Sequence, residues 1–202
     1  MTEQSHPDPA GALQSLVEGN ARFVEGRPQH PNQDVDRRAE LQSGQDPFAV
    51  VFGCSDSRVA AEIIFDRGLG DLFMVRTAGH VVDSAVLGSV EFAVDVLGVP
   101  LVVVLGHDHC GAVTAAAQAV ESGQMPPGYV RDIVERITPA VMATRTTGGT
   151  VDDMVAENVR QAASLLLERS PILARAVEGG RCRIVGVVYD LADGRVRTVD
   201  ER

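Results

Sequence analysis

The sequence is poor in basic residues and contains no long apolar run. Its 18 basic residues, all of them arginine, are outnumbered by 28 aspartates and glutamates, and the formal net charge is −10. Nucleic acids and anionic membrane surfaces bind basic faces, so neither is expected as a partner. No apolar run approaches the roughly 20 residues that a membrane-spanning helix needs. The polar start of the chain, Met1–Ala10, lacks the basic and apolar regions of a secretory signal, so we expect a cytoplasmic protein.

Cysteine is also scarce, with three residues in a chain of 202. An odd number of cysteines without an export signal disfavours a disulfide framework and favours metal binding or catalysis. Cys182 lies between two arginines, directly before an apolar run. We interpret it as a structural residue, because a free cysteine commonly packs as a small buried hydrophobic side chain. Cys54 and Cys110 then remain for chemistry.

Apolar, β-branched runs alternate with segments of helical periodicity along the chain. The length and the 45% hydrophobic content suit one domain over residues 1–202. The alternation predicts an α/β fold with a central, mostly parallel sheet of about four parallel strands, flanked by helices. A turn at 192–194 leads into a last short strand, which we expect to add an antiparallel edge. In such sheets, functional sites gather at the carboxyl ends of the strands.

Three soft metal ligands follow two of the predicted strands. Cys54 begins a Cys-Ser-Asp-Ser-Arg segment after the run 48–52, and His107 and Cys110 follow the run 101–105. Two thiolates and an imidazole predict a three-ligand zinc site whose fourth position is open, as in catalytic zinc sites. Two alternatives stay open: buried cysteines with a satisfied histidine, or a structural zinc closed by Asp56 or His109.

Asp56 and Arg58 flank Ser57 and form the second layer of the predicted site. In an extended segment their side chains point to the same side, where a guanidinium can hold a carboxylate through two hydrogen bonds. The held carboxylate would stay off the metal and accept a proton from a zinc-bound water, or orient that water. A surface ion pair is the alternative. A phosphatase-like loop is excluded, because it needs a longer spacer than the three residues between Cys54 and Arg58.

The pattern resembles the β-class carbonic anhydrases over nearly the whole chain. The resemblance is carried by the N-terminal helix and by segments 54–58, 71–76, 88–93 and 106–111, in the same order and spacing. It implies one domain with an N-terminal helical arm over 1–45 and an α/β core over 46–202. It also implies a homodimer, in which the arm lies over the neighbouring subunit, and pairing of dimers into a homotetramer.

The resemblance also assigns roles to single residues. It implies zinc bound by Cys54, His107 and Cys110, beside a catalytic Asp56–Arg58 dyad.

For the substrate, the resemblance implies contacts from five positions. The Gln45 amide matches one that contacts substrate oxygen in plant-type members, Phe73 matches an apolar wall of the carbon dioxide pocket, and the Gly111 amide lies near the substrate. Phe92 and Ala78 replace a pocket tyrosine and a pocket valine.

The implied reaction is the reversible hydration of carbon dioxide to bicarbonate and a proton, through zinc-bound hydroxide. His80 and His109 are candidates for moving the proton to buffer, because imidazole titrates near physiological pH. Two other functions stay open: a zinc hydrolase of carbon disulfide or carbonyl sulfide, and a non-catalytic zinc-thiolate redox sensor.

Some bacterial members bind bicarbonate at a second, regulatory pocket built from a tryptophan, an arginine and a tyrosine, and close with aspartate on zinc. Arg76 and Tyr189 match two of these positions, but Val51 occupies the third, and the chain has no tryptophan. We therefore expect the form in which Arg58 holds Asp56. A pH-dependent state with Asp56 as the fourth zinc ligand is the alternative.

Overall fold

The computed structural model describes residues 6–202, which form five strands and eight α-helices around one sheet. The strands are β1 Ala49–Cys54, β2 Leu72–Thr77, β3 Leu101–His107, β4 Arg183–Tyr189 and β5 Val196–Glu201. The helices are α1 Pro9–Val24, α2 Val35–Glu40, α3 Ala61–Ile64, α4 Ser84–Glu91, α5 Gly111–Ser122, α6 Val130–Arg145, α7 Val151–Arg169 and α8 Pro171–Glu178. Among these helices, none combines the length and the apolar character needed to cross a membrane.

The sheet has the order β2-β1-β3-β4-β5. The first four strands are parallel, and β5 pairs antiparallel with β4 at the edge, which confirms the predicted sheet. Every residue of β1 and β3 is buried. Central strands of this kind are covered on both faces, which explains why their sequences read as continuous apolar runs rather than alternating ones.

Two of the predicted ligands are the last residues of neighbouring strands. Cys54 ends β1 and His107 ends β3, whereas the sequence pattern placed both just beyond the strands. The strands run further because their pairing with the outer neighbours continues: Cys54 pairs with Thr77 of β2, and His107 pairs with Tyr189 of β4. Both ligands therefore leave the sheet at the same carboxyl edge.

Helices cover the two faces of the sheet unequally. Apolar residues of α4 to α8 pack on one face, while α1 and α3 pack on the other. Ala12 and Leu16 of α1 are buried against the sheet of their own chain. The apolar side of α1 is therefore packed against the sheet of its own chain, and the helix does not project from the domain. The division into residues 1–45 and 46–202 stays a prediction.

The helix that begins at Ser84 changes its winding after Glu91. After α4 the chain continues as one π-helical segment, Phe92–Val96, in which the Leu97 N–H donates to the Phe92 carbonyl at 3.2 Å. Such segments are rare in proteins, and those that occur are frequently found at functional sites. Here the wider turn leaves Phe92 45% exposed.

A buried carboxylate fastens the segment after α1 to the end of α3. Asp66, whose side chain is fully buried, accepts hydrogen bonds from Arg22 Nε at 2.6 Å and from the N–H groups of Gln29 and His30. Burial raises the pKa of Asp66, but these donors outweigh burial and leave the pKa below its ordinary value. The charged form is therefore part of the folded structure.

We expect Asp66→Asn to lower the free energy of unfolding by roughly 1 to 3 kcal/mol at neutral pH, because an amide cannot accept these bonds as a carboxylate does. The lowered pKa stabilises the fold above the ordinary aspartate pKa, and this contribution is lost as the pH falls toward the lowered value. Urea denaturation should therefore show the gap between wild type and variant narrowing below about pH 4.

Glu25→Gln is the control for Asp66→Asn, because Glu25 pairs with Arg27 at an exposed position. Its effect should stay within about 0.5 kcal/mol. An Asp66→Asn gap that does not change with pH would contradict the assigned role of the charge.

Candidate metal centre

Three buried side chains meet at the carboxyl edge of β1 and β3. The sulfur atoms of Cys54 and Cys110 and a ring nitrogen of His107 all lie within 4.8 Å of one another. Cys54 is 6% exposed, and the other two are fully buried. Cys54 and His107 come from the strand ends, and Cys110 is the N-cap residue of α5. The structure therefore brings together the three residues predicted as metal ligands.

The imidazole of His107 is oriented for metal binding. Its Nδ1 lies 2.7 Å from the backbone carbonyl of Asp108, which can only accept, so Nδ1 carries the proton. Nε2 is buried and has no hydrogen-bond partner among residues 6–202. A buried nitrogen lone pair without a donor is costly unless something else satisfies it. A metal ion held with the two thiolates would satisfy it, and a fixed outer hydrogen bond on the other nitrogen is usual for metal-binding histidines.

The two thiols differ in their surroundings. The hydrogen bond from Cys110 is the main cause of a lowered pKa at Cys54, and the Gly79 N–H, 3.3 Å from Cys54 Sγ, acts in the same direction. Cys110 stands at the N-terminus of α5, where the helix dipole favours negative charge. Its hydrogen bond to Cys54 and its burial nevertheless raise the pKa of Cys110. The structure therefore favours a thiolate at Cys54 and a thiol at Cys110, and a bound metal would remove the proton of Cys110.

Asp56 and Arg58 are in contact, but not in the predicted way. Arg58 donates to Asp56 from Nε at 2.9 Å, from Nη2 at 2.7 Å and from its backbone N–H at 3.0 Å. The segment is a turn, closed by the Val59 N–H on the Asp56 carbonyl, and is not extended. The turn brings the two side chains together because the carboxylate caps the backbone two residues on.

The carboxylate of Asp56 faces the centre from this turn. Its Oδ2 lies 3.9 Å from His107 Nε2. The hydrogen bonds from Arg58 hold the pKa of Asp56 well below its usual range. The side chain is 18% exposed, so water reaches it. An ionised carboxylate therefore stands next to the three buried ligands while both of its oxygens are engaged by arginine.

Arg76 supports the same turn from β2. Its Nε donates to the Cys54 carbonyl at 3.0 Å and its Nη2 to the Asp56 carbonyl at 2.7 Å. Val51 lies fully buried within β1, and Tyr189, the last residue of β4, is 6% exposed. In this arrangement the arginine predicted for bicarbonate regulation braces the loop that carries the candidate ligand and the dyad.

The residues predicted to contact substrate are only partly gathered. Phe73 and Phe92 form an aromatic pair, with ring centroids 6.2 Å apart. Ala78 begins the turn after β2, and Gly111 begins α5 beside Cys110. Gln45 is exposed in the segment before β1 and makes no hydrogen bond to the described part of the chain. Its contact with substrate stays a prediction.

The two histidines proposed as proton shuttles differ sharply. His80 is 1% exposed, and burial lowers its pKa to about 4, so it cannot carry protons to buffer near neutral pH; that prediction is wrong. The His109 side chain is 76% exposed and its Nδ1 lies 2.9 Å from Asp108. Its role as a shuttle stays a prediction.

Cys182 is buried away from the other two cysteines, in agreement with a structural role.

Sequence reasoning named Ala78 and His80 in the turn after β2 but missed Gly79 between them. Gly79, in the left-handed region with φ 63°, places its N–H on Cys54, and a Cβ there would lie 2.6 Å from Ile137 Cδ1. The carbonyl of Gly79 accepts a hydrogen bond from Asn158 of α7. A glycine directly after a strand was the available signal for the turn. Nothing in the sequence connects Asn158 to it.

Comparison with known proteins agrees with this geometry. The family model described as "Carbonic anhydrase" matches residues 49–196. The chain is 59% identical to carbonic anhydrase 2 of Mycobacterium tuberculosis over 93% of this chain and 91% of that protein. It is 56% identical to the carbonic anhydrase of Mycolicibacterium smegmatis, with coverage of 94% and 92%.

Solved structures place the fold in one class of that family. The β-carbonic anhydrase CafA of Aspergillus fumigatus superposes with a TM-score of 0.70 at 28% identity, covering 95% of this chain and 90% of that one. The β-carbonic anhydrase CcaA superposes with a TM-score of 0.73 at 25% identity, with coverage of 93% and 87%. The chain belongs to the carbonic anhydrase family and, within it, to the β class.

Proposed function

We propose that this protein is a zinc-dependent carbonic anhydrase that interconverts carbon dioxide and bicarbonate. The observation that carries the proposal is the buried Cys54–His107–Cys110 group, with the free Nε2 of His107 facing two sulfurs. Relatives at 56–59% identity that carry the name carbonic anhydrase support it.

Cys54, His107 and Cys110 fit zinc by their chemistry. Two thiolates and a neutral imidazole are soft and borderline donors of the kind that zinc prefers, and three protein ligands leave a position for water or substrate. When bound, zinc lowers the pKa of a water from about 15.7 toward neutrality and so makes hydroxide available.

Asp56 and Arg58 control the approach to that position. Arg58 engages both carboxylate oxygens of Asp56 and so prevents the carboxylate from becoming a fourth ligand. Held this close to His107, Asp56 is placed to accept a hydrogen bond from a water at the centre and to orient it. Its low pKa keeps it an acceptor over the working pH range.

The start of α5 suits a substrate that becomes an anion. The Phe73–Phe92 pair lies away from this end of the sheet within one chain, because Phe73 pairs with Val50, four residues before Cys54. A contact between this pair and carbon dioxide stays a prediction. The first N–H groups of α5, from Gly111 onward, have no partner within the helix and favour negative charge. The N-terminus of α5 is thus suited to stabilise the bicarbonate that leaves.

We also propose that the protein self-associates, at least to a homodimer. Strand β2 is an edge of the sheet in the described chain. Ile63, Phe92 and Val96 are 60%, 45% and 65% exposed. Their burial against a second copy of the chain would remove apolar surface from water. A cytoplasmic location stays a prediction.

Cys110→Ser should lose the bound zinc and carbon dioxide hydration together, because a serine hydroxyl is not ionised at neutral pH and is a poor zinc ligand. Zinc per chain, measured by atomic emission, should fall from about one toward zero. Cys182→Ser is the matched control, since this cysteine is buried outside the group, and it should keep both zinc and activity. Retention of a full zinc in Cys110→Ser would rule out the ligand assignment.

Arg58→Ala should keep zinc and lose turnover, because the freed Asp56 can close the fourth position or lose its orientation. We expect stopped-flow carbon dioxide hydration to drop by about 100-fold or more. The control is Arg131→Ala, which removes an arginine from an exposed pair with Glu135 on α6 and should leave the rate unchanged. An unchanged rate in Arg58→Ala would contradict the dyad.

The substrate itself is tested by assaying zinc-loaded protein with carbon dioxide, carbonyl sulfide and carbon disulfide side by side. Fast hydration of carbon dioxide alone supports the proposal, and preferred hydrolysis of either sulfur compound would overturn it.

Sedimentation velocity across micromolar concentrations should show dimers or larger species. A monomer throughout would contradict self-association without touching the activity.

A further inference from the structure

The turn between β2 and α4 carries two successive residues in the left-handed region. Gly79 has φ 63° and His80 has φ 44°. The conformation is free for glycine but costs roughly 1 to 2 kcal/mol for a residue with a Cβ, so His80 needs support from its surroundings. The turn is closed at its ends by the Thr77 hydroxyl, which donates to the Val81 carbonyl at 3.1 Å.

Support at the centre of the turn comes from one side chain of α7. Asn158, 7% exposed, directs its Nδ2 to two acceptors: the Gly79 carbonyl at 3.0 Å and His80 Nε2 at 2.8 Å. The carbonyl can only accept, so the amide nitrogen is the donor, and the two hydrogens of Nδ2 serve the two partners. This hydrogen-bond network assigns the proton of the neutral His80 to Nδ1.

The other side of the same glycine faces the candidate metal centre. The Gly79 N–H lies 3.3 Å from Cys54 Sγ, and the contact is buried. Gly79 therefore has its N–H on a candidate zinc ligand and its carbonyl on Asn158. The two bonds belong to the two peptide planes that meet at the Gly79 Cα. An anchor on the carbonyl side therefore restricts the φ and ψ values through which the N–H could turn away from the sulfur.

We propose that Asn158 is a positioning residue for the metal centre: by anchoring the Gly79–His80 turn, it aims the Gly79 N–H at the sulfur of Cys54. The proposal rests on zinc binding as proposed above. An N–H donor on a thiolate withdraws electron density from the sulfur, which tunes its donation to the metal and holds the ligand in place. Outer partners of this kind commonly change metal affinity by about 10- to 100-fold when removed.

The path from α7 to the centre is short and rigid. Helix α7 packs closely on β3, where a Cβ at Gly106, next to His107, would lie 2.5 Å from Val159 Cγ2. The His80 ring stands edge-on to Phe52 of β1, with centroids 6.3 Å apart. Asn158 is thus held against the strands that supply two of the candidate ligands. Its neighbour in sequence, Val159, is part of that contact.

Another buried asparagine provides a matched control. Asn20 of α1, 5% exposed, donates from Nδ2 to the carbonyls of Ile64 and Gly194 and accepts from the Val196 N–H. It joins backbone segments as Asn158 does, but it lies on the opposite face of the sheet, with α1 and α3. Loss of either amide should destabilise the fold, whereas only Asn158 should affect the metal.

The test compares Asn158→Leu and Asn20→Leu with the wild type by two readouts besides activity. In cobalt-substituted protein, loss of the N–H donor should shift the thiolate-to-cobalt absorption to longer wavelength in Asn158→Leu only. Zinc transfer to a chromophoric chelator should be faster by about 10-fold or more in Asn158→Leu, and unchanged in Asn20→Leu.

The outcomes separate the two proposals. Wild-type absorption and zinc release in folded Asn158→Leu would overturn the positioning role and leave the proposed function intact. A wild-type protein that binds neither cobalt nor zinc would overturn the proposed function as well. Asn158→Ala, which removes the amide without adding bulk and suits a helix interior, replaces Asn158→Leu if circular dichroism shows that the latter does not fold. The same shifts are expected in it, and their absence would equally overturn the role.

Discussion

The parallel pairing of β1 with β3 is the constraint on which the site depends. It brings the end of one strand, Cys54, beside the end of another, His107, although the two are far apart in the chain. Cys110 follows one turn later as the cap of α5. Because both strands are buried on both faces, a slip in register would force two close-packed interfaces to repack at once. The stability of the core and the geometry of the metal ligands are therefore the same property.

Charge is distributed around this edge so that each group has one role. Two thiolates and a neutral imidazole balance a divalent cation, which leaves no electrostatic need for a further anionic ligand. Asp56 is nevertheless close by and ionised. Arg58 engages both of its carboxylate oxygens and so holds it next to the three candidate ligands without adding it to them. Arg76 donates hydrogen bonds to the backbone carbonyls of Cys54 and Asp56, and not to the side-chain carboxylate of Asp56. In the proposed zinc site, Asp56 is thus held off the metal by hydrogen bonds to two different parts of one short turn.

Much of this could be predicted from residue types and spacing. The strands at 72–77 and 101 onward and the helices at 111–122 and 151–169 follow from apolar periodicity, and the three ligands follow from soft donors after strands. The Asp56–Arg58 contact was predicted from an extended segment and arises from a turn instead. His80 was predicted as a shuttle because sequence shows residue type, whereas burial, which lowers its pKa, depends on helices packed over it from elsewhere in the chain.

By itself, the sequence determined the α/β alternation, the candidate ligands and the dyad, because each of these depends on local patterns of side chains. The tertiary structure alone decided which residues from distant segments contact and position the candidate ligands. Asn158 meets Gly79 only because α7 crosses the end of β3 at Gly106, where a larger residue would clash. Phe92, at the start of the π-helical turn, meets Phe73 of β2 across a separation of 19 residues in the chain. Contacts between distant segments are set by packing, which local residue patterns do not encode.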